Sequence, residues 1–203
     1  MNGKKIAKTL EREHLAEAEF LGSFADLHQF PDEYSDVCFI GRSNSGKSTL
    51  LSALIKNASL VKISKTPGST KTVNFFKRKN LYLVDLPGYG YARANHAQRD
   101  TLSLIIGNYL NKRKNIKTAF LLLDCYRDLK ETEHYIIQLM RERNIPLILL
   151  LTKIDRLNQK EKAKLNVKIH KEYERLFFLV FPISGREREN TDQLVHYINS
   201  LSG

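Results

Sequence analysis

The stretch GRSNSGKST, residues 41–49, constrains this chain more than any other. Gly41, Gly46, Lys47 and Ser48 satisfy G-x-x-x-x-G-K-[S/T], a pattern in which successive backbone N–H groups close around a phosphate. The match follows the apolar run DVCFI (residues 36–40), and behind it Leu50, Leu51 and Leu54 form a helical stripe. Strand, glycine-rich loop and helix in that order present the helix N-terminus and its dipole to an anion. In such a loop Lys47 neutralises charge on the β- and γ-phosphates and Ser48 ligates Mg2+.

The rest of the chain supplies the sheet that such a loop needs. LYLVD (81–85), TAFLLLD (118–124), IPLILLLTK (145–153) and LFFLVFPIS (176–184) are nearly unbroken apolar runs. Strands covered on both faces of a parallel sheet have this composition. Between them, Leu102, Ile105, Ile106, Tyr109 and Leu110 recur at helical spacing, as do Leu165, Ile169, Tyr173 and Leu176, and then Leu194, Val195, Ile198 and Leu201. The alternation predicts right-handed βαβ crossovers in a doubly wound α/β domain. TVNFFKRKN (72–80) runs directly into LYLVD, which predicts a hairpin and hence one antiparallel strand. Residues 1–30 show no strand signal and a charged helical stretch, so they are expected to be an extension packed on a domain spanning 31–203.

Bulk properties narrow the class. With 203 residues the chain suits one domain with a sizeable core. No run approaches the roughly 18 apolar residues of a membrane span, and the charged N-terminus lacks a signal-peptide block. A cytoplasmic protein is expected, with no stable membrane association. Cys38 and Cys125, the only cysteines, lie in apolar runs without zinc spacing, which predicts two buried free thiols. The net charge of +11 favours polyanionic partners.

A phosphate loop alone serves ATPases, kinases and GTPases, and three later stretches discriminate among them. DLPG (85–88) ends a strand, where Asp85 can hold Mg2+ through water and the Gly88 N–H can sense a γ-phosphate; Leu86 and Pro87 shape that turn. TKID (152–155) ends the most apolar strand. There Asp155 can accept N1–H and N2–H2 of guanine in a charge-assisted pair that adenine cannot make. Thr152 and Ile154 frame it, and Lys153 lays its stem along the base. In ISG (183–185), after the last strand, Ile183, Ser184 and Gly185 offer a backbone N–H to the guanine carbonyl. All stand at C-terminal strand ends, where open α/β sheets bind ligands.

GRSNSGKSTLLSALI, SKTPGSTKTVNFF and VDLPGYGYA, followed by TKID and SG, resemble the EngB family, also called YihA or YsxC, over nearly the whole chain from about residue 20. These are small bacterial GTPases of the translation-factor-related class, implicated in assembly of the large ribosomal subunit and in normal septation. The resemblance implies a three-layer Ras-like P-loop NTPase domain, with a mostly parallel six-stranded sheet, one antiparallel strand and helices on both faces. It implies GTP and GDP as ligands, with Arg42, Ser43, Asn44, Ser45 and Thr49 completing the phosphate loop. It makes Thr70 the switch I threonine, coordinating Mg2+ beside Ser48 and Asp85. Gly68, Ser69, Thr70, Lys71 and Thr72 would close over the nucleotide in the GTP state and loosen after hydrolysis. Catalysis is assigned to Lys47, Thr70, Gly88 and Asn44.

Two positions depart from the usual pattern. Gly185 replaces the alanine of Ser-Ala, so guanine binding with a looser loop is expected. Tyr89 follows Gly88 where Ras-type enzymes carry the glutamine that orients water. Slow intrinsic turnover is expected, with a ribosomal particle, a monovalent cation or both completing the site. Asn44 in N-x-G-K-S can help place K+ beside the phosphates. In GYGYARANHAQRD (88–100) two glycines allow movement, and His96 is expected to be a surface residue.

Lys62, Lys65, Lys71, Lys77, Arg78 and Lys79 gather around switch I and its hairpin, and NKRKNIK (111–117) adds four cations. Charge runs of this kind often form solvated faces. Their position beside nucleotide-responsive segments favours contact with rRNA of a large-subunit precursor, through shape and phosphates rather than sequence, and no DNA. Two rivals stand beside the GTPase reading. One is an ATP-using P-loop kinase, disfavoured by TKID. The other is a regulatory switch with negligible hydrolysis that acts on division proteins. A monomer is expected.

Overall fold

Among the described residues seven strands form one sheet in the order β1-β3-β4-β2-β5-β6-β7. They are β1 (Glu19–Phe24), β2 (Ser35–Gly41), β3 (Val73–Arg78), β4 (Leu81–Asp85), β5 (Ile116–Asp124), β6 (Leu147–Thr152) and β7 (Leu179–Ile183). Among the described residues five helices accompany them: α1 (Lys47–Ile55), α2 (His96–Lys112), α3 (Glu131–Glu142), α4 (Gln159–Lys171) and α5 (Thr191–Ser200). The computed structural model describes residue 15 and residues 18–55, 72–90 and 96–202, with the backbone alone for 96–101. Only β3 runs against the others, pairing antiparallel with β1 and β4, while β2, β4, β5, β6 and β7 are mutually parallel.

The period-2 geometry of strands divides the apolar residues between two cores. Cys38 and Ile40 of β2, Leu121 and Leu123 of β5, and Leu149 and Leu151 of β6 face α2, α3 and α4. Val37, Phe39, Phe120, Leu122, Ile148 and Leu150 face α1 and α5. Every one of these side chains is at most 2% exposed, which explains why the strands read as unbroken apolar runs. Burying each large aliphatic side chain contributes about 1.5–3 kcal/mol. The sheet is therefore a rigid floor, and the loops at its C-terminal edge carry the chemistry.

The sequence prediction of six strands needs one addition. Residues 19–24, where no strand signal was found, form the edge strand β1 on β3. The pairing slips by one residue between Phe20 and Gly22. A bulge of this kind flips the following side chains to the other face. Phe20 thus packs on Phe76 in one core (ring centroids 5.3 Å apart), while Phe24 packs on Phe75 in the other (5.7 Å). Alternation broken in a six-residue segment leaves no readable period. Before it, the fully buried Leu15 donates its N–H to the Leu54 carbonyl of α1 (2.8 Å), tying the N-terminal segment to the domain. The helical stripe predicted from Leu165 to Leu176 is also shorter than expected. α4 stops at Lys171, and Tyr173 reaches the core from a separate 3-10 turn, Tyr173–Arg175.

Candidate functional site

Gly41 ends β2, and residues 42–46 fold back over its tip before Lys47 opens α1. Asn44 (φ 67°) and Gly46 (φ 90°) adopt left-handed backbone, and the Ser45 N–H bonds the Arg42 carbonyl (3.0 Å). Alternating backbone hand of this kind forms a concavity of N–H groups suited to an anion. Ser48 and Thr49 follow in the first turn of α1. Lys47, 9% exposed, forms an ion pair with Asp85 at the end of β4, whose second oxygen accepts from Asn74 Nδ2 (3.3 Å). The cation and the carboxylate named from sequence as phosphate and Mg2+ groups therefore share one place. After Asp85, Leu86 is buried and the Pro87–Gly88 turn returns to the phosphate loop. A Cβ at Gly88 would lie 3.2 Å from both N and Cα of Ser43, so the two backbones are in direct contact.

The guanine motifs are locked to the same loop. Thr152 Oγ1 donates to the Ser45 carbonyl (2.6 Å), and Thr152 and Lys153 lie within 4.0 Å of where a Gly46 Cβ would stand. Lys153 is left-handed (φ 64°), which turns Ile154 and Asp155 into a 3-10 turn. Ile154 is buried and anchors it. Asp155 Oδ1 accepts from Ser184 Oγ (2.6 Å), a bond that joins TKID to ISG.

Ser184 is fully buried. Its N–H donates to the Glu189 carbonyl (3.1 Å), and its Oγ accepts from the Glu187 N–H (3.1 Å). Ile183, also fully buried, closes β7. Gly185 corrects the expectation of a looser loop. A Cβ there would stand 2.8 Å from Leu50 Cα and 2.9 Å from Leu50 N, so glycine lets the loop press directly onto the backbone of α1.

Two side chains essential to this geometry were not singled out in the sequence. Asp124, the last residue of β5, pairs with Lys153 Nζ (2.7 Å) and holds its stem beside Gly46. Burial opposes ionisation of Asp124, but bonds from Lys153 and the Tyr126 N–H outweigh it and hold the carboxyl below the usual aspartate value. Its place at a C-terminal strand end was the available signal. Glu133, in the first turn of α3, accepts from Arg42 and Tyr89. In the sequence it is an ordinary first-turn glutamate, and nothing local separates it from a capping residue. Arg42 thus contributes backbone to the phosphate loop while its side chain turns away to α3. Tyr89 points the same way and is 6% exposed within the core.

Thr70, with Gly68, Ser69 and Lys71, lies outside the described residues, as do Lys62, Lys65 and residues 91–95. The side chain of His96 also lies outside them. Thr72 enters β3. Among the described cations the predicted clusters separate by role. Lys77 sits over the Tyr34 ring (4.7 Å), Arg78 is buried, and Lys79 is exposed at the hairpin turn. Within 111–117, Arg113 is no surface cation. It is buried against Asp36 (Nε to Oδ2, 2.7 Å), which also accepts from Tyr109 (2.7 Å). Lys117 bonds the Leu201 carbonyl (2.7 Å), and Lys112 and Lys114 face solvent. Both cysteines are free as expected, but only Cys38 is buried; Cys125, just past the end of β5, is half-buried.

Comparison with known proteins agrees with this geometry. Residues 36–153 match a family model described as a 50S ribosome-binding GTPase, and residues 107–202 match the elongation factor Tu GTP binding domain. The chain is 41% identical to the probable GTP-binding protein EngB of Mycoplasmopsis synoviae, across 82% of this chain and 89% of that protein. It is 37% identical to the probable GTP-binding protein EngB of Leptospira biflexa, across 92% and 90%. In fold it resembles a crystal structure of a probable GTP-binding protein engB, with a TM-score of 0.65 and 24% identity over 83% of this chain and 98% of that one. It also resembles Aquifex aeolicus Era bound to GDP and AlF4−, with a TM-score of 0.58 and 21% identity over 83% and 57%. The phosphate loop locked to TKID and ISG, and relatives matched along most of their length, place the chain in the EngB family of GTP-binding proteins, Ras-like P-loop enzymes that hydrolyse GTP.

Proposed function

We propose that this GTPase is a nucleotide-gated factor in assembly of the large ribosomal subunit, working in the cytoplasm, and that normal septation depends on it. The observation that carries the reading is the family match itself, to a model described as a 50S ribosome-binding GTPase. The charge of +11 supports an RNA-rich partner. The described exposed cations are few near the hairpin, Lys79 foremost, with Lys112 and Lys114 at the far end of α2. Contact through these would be electrostatic and salt-sensitive.

In the hydrolysis itself, the phosphate-loop amides and Lys47 hold the β- and γ-phosphates, the Gly88 N–H meets the γ-phosphate, and Asp155 selects guanine. The donor set suits Mg2+, which takes one or two carboxylates together with substrate phosphates. Among the described residues Asp85 is the only carboxylate placed beside Lys47, and no cluster of three or more His, Cys, Asp or Glu offers an all-protein cage. Ser48, Asp85 and Thr70 would hold the ion, which neutralises phosphate charge when bound. Asn44, exposed on the outer turn of the loop, is the residue to help place K+. Tyr89 is held in the core, so the side chain next to Gly88 is not placed to orient water, and slow unassisted turnover follows.

Hydrolysis rates measured with and without purified large ribosomal subunits, in matched KCl and NaCl, test this reading. Stimulation by the subunits is expected. No stimulation would favour a switch that acts on division proteins, and equal rates in the two salts would remove the K+ role.

A further inference from the structure

Among the described residues beside the nucleotide loops, Glu133 is a carboxylate with both oxygens engaged by protein groups. Its side chain is 1% exposed. Oε1 accepts from Arg42 Nε (2.7 Å) and Tyr89 Oη (2.8 Å), and Oε2 accepts from Arg42 Nη2 (3.1 Å) and the Lys130 N–H (2.8 Å). The Arg42 guanidinium also sits over the Tyr89 ring, 5.8 Å from its centroid. One carboxylate thus grips a residue from each of the two loops that meet the phosphates, and fixes both to the start of α3.

What it grips matters more than the grip. The Tyr89 N–H donates to the Gly41 carbonyl (3.3 Å) and the Tyr89 carbonyl accepts from the Ser43 N–H (2.8 Å), so Tyr89 is stitched to the phosphate loop as a short parallel bridge. Gly88 precedes it, with its backbone against Ser43. Position and orientation of the Gly88 N–H therefore follow from where Tyr89 is held. Burial works against ionisation of Glu133, but the Arg42, Tyr89 and Lys130 bonds prevail and its carboxyl titrates below the ordinary glutamate value. The same burial, with Glu133 beside it, pushes the Tyr89 phenol far up, so the pair stays carboxylate and neutral phenol across the working pH range.

We propose that Glu133 is a positioning residue for GTP hydrolysis: through Arg42 and Tyr89 it presses Gly88 onto the phosphate loop in register for the γ-phosphate, and it keeps the Tyr89 ring out of the space that attacking water would use. It rests on the GTPase chemistry of the site and is independent of the ribosomal partner. A γ-phosphate sensor that is held less well affects GTP and leaves GDP alone, because GDP has nothing at that place. A carboxylate that merely stabilised the fold would weaken both nucleotides together.

The test uses the full chain with Glu133→Gln, Tyr89→Phe and the double variant. Affinities are measured for GDP and for a non-hydrolysable GTP analogue, with hydrolysis rates and thermal melts alongside. The wild-type affinities in the same series check the GTPase chemistry itself. Glu133→Gln, which sets an amide donor against Arg42 or the Lys130 N–H, is expected to weaken the analogue and lower kcat by about tenfold, with GDP affinity within about twofold. Tyr89→Phe removes one bond and keeps the ring, so a selective loss of about threefold is expected, and the double variant should fall short of the product because both act through one contact. Equal weakening of GDP and analogue, or unchanged kcat, would overturn the proposal. Should Glu133→Gln fail to fold, Tyr89→Phe alone decides, and its lacking any γ-selective effect overturns it equally.

Discussion

Replacing Gly185 by alanine would restore the residue that the usual Ser-Ala motif carries, and the structure predicts that this restoration is harmful. The backbone at Gly185 is not in the left-handed region, so alanine can adopt it without strain. Removing glycine freedom from the unfolded chain would then stabilise by about 0.4–1 kcal/mol. Opposing this, the new Cβ would stand 2.8 Å from Leu50 Cα and 2.9 Å from Leu50 N. Both are backbone atoms of α1, whose Leu50, Leu51 and Leu54 are at most 1% exposed, so neither partner yields cheaply.

Overpacking of this kind costs about 1–3 kcal/mol, which exceeds the entropic gain. The net loss is then about 0.6–2 kcal/mol, and for a domain of this size each kcal/mol shifts Tm by about 2–4 °C, so a fall of roughly 1–8 °C is expected. Because Ser184 carries the bond to Asp155, displacing the loop should also weaken GDP. Thermal unfolding and GDP titration of Gly185→Ala measure both effects. An unchanged or raised Tm would refute the reasoning, since it would mean that the loop stands clear of α1.

Three further outcomes are expected. Asp155→Asn replaces an acceptor pair by an amide and loses a charge-assisted contact to guanine, so GDP affinity measured by fluorescent-nucleotide displacement should fall at least about 100-fold, at about 1.5–3 kcal/mol per bond. Arg113→Ala leaves Asp36 buried without its cation and should cost about 3–5 kcal/mol in denaturant unfolding, whereas Lys112→Ala and Lys114→Ala should stay within about 0.5 kcal/mol. Glu133 titrates below its ordinary value of 4.5, so its contribution is complete above that value and is lost as the pH falls through the folded pKa. Melts taken from about pH 5 down to pH 3 should therefore decline less steeply in Glu133→Gln than in the wild type.

Much of the site was legible because its chemistry is carried by short contiguous motifs at strand ends. The phosphate loop, DLPG, TKID and ISG were each visible in a few residues, and folding brings them together as the parallel sheet requires. The uniformly apolar strands were equally plain, since burial on both faces leaves no polar alternation. What escaped notice depends on distant partners. Glu133 gains its meaning from Arg42 and Tyr89, which are 91 and 44 residues away in the chain. Gly185 looked like a tolerant substitution until the backbone of α1 was found against it. Arg113 looked like one cation among four, and only the fold reveals Asp36 as its partner. The β1 strand was hidden by its bulge, which sends Phe20 and Phe24 to opposite cores.

The most direct measurement is co-sedimentation of the full chain with purified large ribosomal subunits, at several salt concentrations, with GDP and with a non-hydrolysable GTP analogue. Binding that strengthens with the analogue and falls steeply with salt is predicted, because nucleotide state would gate an electrostatic contact with RNA. Binding that ignores the nucleotide, or is absent even at low salt, would contradict the account.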